Sequence, residues 1–213
     1  MSFDLAFSIK VFSALFAIMN PVVNVPIFLA LTDGATPAQR RRVASTALIA
    51  VAIGCVLSAV AGAQILALFG VSINDFRLAG GLLVLLIALS MLHGAPSAQH
   101  ASTAQERADV DRADSVAIYP LAIPMLLGPG SIATMIVMGH GAMANGHELA
   151  FAAGLLAFLA LLAVALLAAP SLARHLSPRV AAITQRLMGM ILAAIAVDMM
   201  LTSLRAVFPA LTR

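Results

Sequence analysis

Hydrophobic and polar positions do not alternate along this chain; apolar residues come in six long runs with short polar breaks between them. The runs cover 11–31, 43–68, 73–92, 116–139, 149–169 and 187–204. Continuous runs of this length predict helices rather than strands. At about 1.5 Å per residue each can cross a hydrocarbon core of roughly 30 Å, some with tilt. The expected fold is therefore all-α: a polytopic membrane protein with six transmembrane helices in a single transmembrane domain, 1–213. Between the third and fourth runs lies the polar stretch GAPSAQHASTAQERADVDRAD, which reads as a flexible linker. It divides the chain into a unit of about 1–92, a linker at 93–115 and a second unit of about 116–213.

The fourth run contains the stretch YPLAIPMLLGPGSIAT at 119–134. Its 24 residues, 116–139, carry no formal charge, and their centre falls at Leu127 and Gly128. Gly128, Pro129 and Gly130 are thus expected near the bilayer midplane, where a helix break is most costly. Proline removes an N–H and clashes with the preceding turn, and glycine lowers helix propensity further. Such a break persists only where other protein or a water-filled cavity satisfies the freed backbone groups. The first run has its own interruption, Asn20-Pro21, at its centre in MNPVVNVPIF, 108 residues before Gly128-Pro129.

The third and sixth runs also match. RLAGGLLVLLIALSML from Arg77 and RLMGMILAAIAVDMML from Arg186 share six of sixteen positions at an offset of 109. Three spans per unit give the two units opposite orientations. The pattern is that of the inverted repeats found in secondary transporters, whose broken helices mark a midplane site. An ordinary proline kink explains either break alone; two repeat-related breaks at one depth favour a site.

Charge orients the chain. Loops on one side hold Arg40, Arg41, Arg42, Arg107, Arg112, Arg174, Arg179 and Arg186, and the other side holds Lys10, Arg77, Arg205 and Arg213. The excess of eight over four places the first set in the cytoplasm and both termini in the periplasm. Only 10% of residues are charged, against about 25% in soluble domains. The arginines sit at run ends rather than clustering with aromatics, so a nucleic-acid partner is not expected. The single cysteine, Cys55, excludes an intramolecular disulfide scaffold and a paired-thiol relay. MSFDLAFSIK has Asp4 and no basic leader, so the first run is expected to be retained.

The breaks suggest their own chemistry. Asn24 is a candidate cap for a half-helix containing Pro26, while Gly130 and Ser131 would open one running through Thr134. Half-helix N-termini offer N–H groups and partial positive charge to a carboxylate, and the ends at Asn20 and Leu127 offer carbonyls to an ammonium or small cation. Such poles hold a zwitterion without charged side chains, and the Ala-, Gly- and Val-rich surroundings leave room only for a small one. Asn20, Pro21, Asn24, Gly128, Pro129, Gly130, Ser131 and Thr134 are the candidate substrate-binding residues. Asp198 is the one acid inside the fourth, fifth or sixth run, with Thr202 and Arg205 following on the same stripe. It is either a coupling or pathway group with Thr202, or an acid paired with Arg205. The offset of 109 makes Leu89 its counterpart. Arg77 and Arg186, opening the third and sixth runs, are gates or interfacial anchors. His93, His100, His140, His147 and His175 lie at run ends or in loops, without metal-ligand spacing. No histidine shares the depth of Ser131, so serine-hydrolase chemistry, and an enzyme generally, is not expected.

The motifs NPVVNVPIF, FGVSINDFRLAGGLL, YPLAIPMLLGPGSIAT and RLMGMIL resemble those of the MarC family of bacterial inner-membrane proteins, over nearly the whole chain. The resemblance implies six spans, an inner-membrane location, no established cofactor, and transport of small neutral amino acids such as glycine or alanine. Matching positions include Asn20, Pro21, Pro26, Arg77, Gly80, Gly81, Pro120, Pro124, Gly128, Pro129, Gly130, Arg186 and Gly189. Asp198 departs from the pattern, which has an uncharged polar residue there. The expected function is a secondary transporter using H+ or Na+ as candidate coupling ion, either alone or as a homo-oligomer. An exporter of another small metabolite, a non-transporting membrane scaffold and a channel are the alternatives.

Overall fold

The computed structural model describes residues 3–93, 117–173 and 177–208, and every regular element within them is helical. Helix α1 is Leu5–Met19, α2 is Pro21–Leu31, α3 is Pro37–Leu68 and α4 is Ile73–Leu92. The second half begins with a π-helical segment, Ala117–Leu126. It continues with α5 (Pro129–Asn145), α6 (Glu148–Leu167), the short α7 (Ala169–Ala173) and α8 (Pro178–Val207). Residues 94–115 of the expected linker, with Arg107 and Arg112, lie outside the described residues, as do Arg174 and Arg213.

Caps set the boundaries that apolarity alone misplaces. Before α3, the Thr36 hydroxyl accepts from the Gln39 N–H at 3.3 Å, and Gln39 Oε1 accepts from the Thr36 N–H at 2.9 Å. This reciprocal capping box, with Pro37 in the first turn, carries the helix through three arginines before its apolar run begins. Ser177 caps α8 by a single bond, accepting from the Val180 N–H at 3.3 Å. Helix α8 thus starts well before 187, and Arg186 lies inside it rather than at its head.

Four helices, α3, α4, α6 and α8, are individually long and apolar enough to cross a membrane, α8 from Arg179 onward. The pair α1 and α2 makes a fifth span if its 42° bend is counted within one crossing. The fourth apolar run is broken, as expected, around Gly128-Pro129. It is split between the π segment and the 17-residue α5, neither sufficient alone. Pro120, Pro124 and Pro129 have no N–H to donate. The coil widens accordingly, as where the Leu127 N–H reaches the Ala122 carbonyl at 2.8 Å.

Packing between the halves is reciprocal. The most extensive pairings are α4 with α8, α3 with α5, and α1 with α6. Exchanging first with fourth run, second with fifth and third with sixth maps this set onto itself. The close approaches of α4 and α8 repeat the relation. A Cβ on Gly81 would lie 3.0 Å from the Ala196 carbonyl oxygen, and a Cβ on Gly189 would lie 3.0 Å from that of Ala88. Their further neighbours are Met199 and Met200 in one case, Met91 and Leu92 in the other. Every member of one set is 108 residues from its counterpart, the separation of Pro21 and Pro129. The packing register thus differs by one from the Arg77–Arg186 match, and the counterpart of Asp198 becomes Ser90 in place of Leu89. Identity between apolar helices counts side chains, whereas register is fixed where two backbones touch.

The main core lies between α1, α2, α3, the π segment, α5 and α6, and a second cluster joins α4 and α8 to Ala17 and Ile18 of α1. Large apolar side chains also cover the outside, among them Ile49, Ile53 and Leu57 of α3 and Leu156 and Val164 of α6. An apolar exterior of this extent suits acyl chains rather than water.

Candidate functional site

Both interruptions use a side chain from the following helix to close the end of the preceding one. At the first, Asn20 has φ +32°, the one positive φ at a non-glycine among the described residues. This left-handed residue ends α1, and its Oδ1 accepts from the Val23 N–H at 3.4 Å to begin α2. Pro21 occupies the first turn and Pro26 the helix interior. Asn24 is therefore not the cap expected from sequence. Its amide turns back and donates to the carbonyls of Met19 and, at 3.3 Å, Asn20. At the second interruption Gly128 precedes α5 without a side-chain cap, and the Ser131 hydroxyl donates to the Leu126 carbonyl at 3.0 Å.

Asn24 and Ser131 each reach a carbonyl five residues back. The carbonyls of Met19 and Leu126, and the Asn20 carbonyl expected to be bare, are consequently engaged, because an unpaired carbonyl in a dry interior is costly. The Asn20 geometry gives a direct check. Asn20→Gly keeps the left-handed turn and loses one cap, whereas Asn20→Val adds a β-branched side chain at positive φ, costing about 1–3 kcal/mol more. Thermal midpoints of the two variants should separate in that order.

Some polar atoms at the breaks have no partner among the described residues. Asn20 Nδ2, Asn24 Oδ1 and Thr134 Oγ1 are buried without a hydrogen bond, on residues that are 0% exposed. Gly128, Gly130, Ser131 and Pro21 are buried as well, while Pro129 is exposed. Met19, Leu126 and Leu127, which flank the two interruptions, belong to one hydrophobic core.

Thr134 connects this region to a cavity of about 280 Å³. The start of α1 supplies Lys10, the start of α4 Arg77, the end of α5 Asn145, and α8 Asp198 and Thr202. Lys10 Nζ lies 2.8 Å from Asp198 Oδ2, both side chains being about half exposed. Arg77 Nε is buried and unpartnered. Of the expected pathway and gate residues, Asp198, Thr202 and Arg77 therefore meet at one place, together with Thr134. Arg186 does not join them, lying exposed along α8. Asp198 pairs with Lys10 instead of Arg205, because α1 packs against α8 at this level. Sequence reasoning missed Lys10 as a site residue. Its signal was a lone lysine inside a helix that starts at Leu5, six residues before the apolar run.

The relatives match nearly the whole length of this chain rather than a fragment of it. The chain is 35% identical over 213 residues to the UPF0056 membrane protein YhcE of Escherichia coli (strain K12), covering 98% of this chain and 97% of that one. It is 35% identical to the UPF0056 membrane protein YvbG of Bacillus subtilis (strain 168), covering 97% and 98% of the two chains. An archaeal relative, the UPF0056 membrane protein MJ1677 of Methanocaldococcus jannaschii, is also 35% identical, over 95% and 98%. No solved structure matches the chain. The model of the MarC family of integral membrane proteins matches residues 5–208, and with that match the chain belongs to the MarC family.

Proposed function

We propose that this protein is a secondary transporter that moves small neutral amino acids, of the glycine and alanine class, across the bacterial inner membrane. The observation that carries the reading is the cavity whose wall includes the buried, unpartnered hydroxyl of Thr134, one turn past the start of an interrupted helix. A buried donor left without a partner costs stability, and a substrate's polar groups would satisfy it. At about 280 Å³ the cavity lies just below the roughly 300–1,000 Å³ of drug-sized sites, which favours a small solute. Gly130 and Ser131 at the uncapped start of α5 suit a carboxylate. The reciprocal packing of the halves supports two inverted three-helix units. Rocking one unit against the other would alternate access to the site. With both termini periplasmic, the cavity is the outer entrance, and Asp198 and Thr202 are the candidate groups for coupling to H+ or Na+.

Counterflow in proteoliposomes tests the reading. Purified protein loaded with unlabelled glycine or alanine should accumulate the labelled amino acid transiently, and Pro129→Ala should slow this at least about tenfold. A scaffold gives no flux, and a channel gives current without counterflow. A thermal-shift panel of amino acids and other small metabolites identifies the substrate, because a ligand that binds only the folded state raises its stability by mass action.

A further inference from the structure

Lys10 occupies the cavity as if it were part of a substrate. Its side chain ends in an ammonium, held 2.8 Å from Asp198 Oδ2 at the wall of the cavity. On the same wall Arg77 has a buried Nε without a partner, and Thr134, 0% exposed, has an unpartnered hydroxyl. One carboxylate is therefore already matched with an ammonium, while the buried Nε of one guanidinium is matched with nothing among the described residues. An α-amino acid carries a carboxylate for that guanidinium and an ammonium that can replace the one from Lys10. Among the described residues, the ionic groups lining this cavity are Lys10, Asp198 and Arg77, two cations and one anion. One more carboxylate would balance them.

We propose that the outer cavity is a receiving site for a zwitterion, with the Lys10–Asp198 pair as its resident plug. The incoming α-ammonium takes the place of the Lys10 ammonium on Asp198, and the α-carboxylate is taken by Arg77, with Thr134 donating from below. Lys10 swings out toward solvent. No bond is made or broken covalently; one ion pair is exchanged for two. Exposed pairs of this kind hold weakly, so displacing Lys10 asks little of the substrate. A simple amine lacks the second contact and a simple carboxylate the first, so the cavity selects the molecule that bears both. This reading rests on the transport proposal for its substrate class, but the site is testable without any flux.

Lys10 is the only lysine in the chain, which makes it a single reporter. Reductive dimethylation of the intact protein with carbon-13 formaldehyde preserves its charge and yields one lysine signal, resolved from the terminal amine by NMR. Glycine should move that signal to the position it has in Asp198→Asn, where the pair is absent. Acetate should leave it unmoved. Arg77→Gln, which leaves the pair itself intact, should raise the glycine concentration for half the shift at least about tenfold. That variant keeps the test decisive if Asp198→Asn fails to fold. A signal indifferent to glycine in a protein that performs counterflow overturns the receiving site and leaves transport standing. A signal that moves as proposed in a protein without counterflow does the reverse. Methylammonium acting at the same concentration as glycine overturns the role given to Arg77.

Discussion

Thr134→Val is expected to make the protein more stable and less active at once. Valine nearly matches threonine in shape but lacks the hydroxyl, which in this structure is fully buried and makes no hydrogen bond. Removing an unsatisfied buried hydroxyl should recover about 1–3 kcal/mol. For a chain of this size each kcal/mol raises the thermal midpoint by roughly 2–4 °C. Counterflow of glycine or alanine should fall at least about tenfold, the equivalent of one lost hydrogen bond to substrate worth about 1.4 kcal/mol. Thr134→Ser keeps the donor and should keep the flux. A structural threonine predicts the opposite pairing: a lower midpoint in Thr134→Val with flux following the amount of folded protein. Thermal melts and counterflow on the same preparations decide between them.

The contrast between Thr134 and Ser131 shows what the sequence could reveal about the site. Both lie just past Pro129 and look alike as small hydroxylated residues near a helix start. Ser131 spends its hydroxyl on the Leu126 carbonyl, while Thr134 is left over. Composition and spacing located the break, because proline and glycine at the middle of an uncharged run act locally. They did not assign the hydrogen bonds around it, because those depend on how sharply each chain turns. Asn20 and Asn24 illustrate the same limit. The left-handed backbone at Asn20 lets α2 begin at the very next residue, so Asn20 caps and Asn24 is freed to reach backward. A reading that allowed a short loop after Asn20 moved the cap four residues too far.

Long-range relations were legible only where they left a trace in both partners. The third and sixth runs did so as repeats, matched through Gly80 and Gly189, but their packing against each other, where Gly81 and Gly189 each admit the backbone of the facing helix, was not. Lys10 and Asp198, 188 residues apart, left none. Charge counting assigned Lys10 to a side of the membrane, and helical periodicity assigned Asp198 a neighbour on its own helix. Neither rule contains the fact that α1 passes beside α8. The helix ends show the complementary strength of local rules. Ile73–Leu92 was expected and found at 73–92, because Ser72 caps it, accepting from the Asp75 N–H at 3.1 Å, just where the apolar pattern begins.

Gly139→Ala should be among the most damaging single-methyl additions in the molecule. A Cβ at Gly139 would lie 2.7 Å from the Cα, the Cβ and the carbonyl oxygen of Ala59 on α3. Backbone has no rotamer with which to yield, so α5 must move away from α3. In a membrane, contacts between helices depend on such close approach, because lipid is as apolar as the side chains it competes with. Overpacking of this kind costs about 1–3 kcal/mol, or roughly 2–12 °C in thermal midpoint. Gly141 is the control, two residues along the same helix, where nothing lies within 4 Å of an added Cβ. Gly141→Ala removes a helix-weakening glycine and should hold or raise the midpoint, by up to about 1 kcal/mol. The loss in Gly139→Ala should extend to flux beyond the loss of folded protein. Helix α5 carries Gly130, Ser131 and Thr134 on its first two turns, and shifting it by a few tenths of an ångström displaces them from the Asn20 break that faces the same core. Equal midpoints for the two alanine variants would show that α3 and α5 are not in backbone contact, and with that the reciprocal packing of the halves would lose one of its close joints.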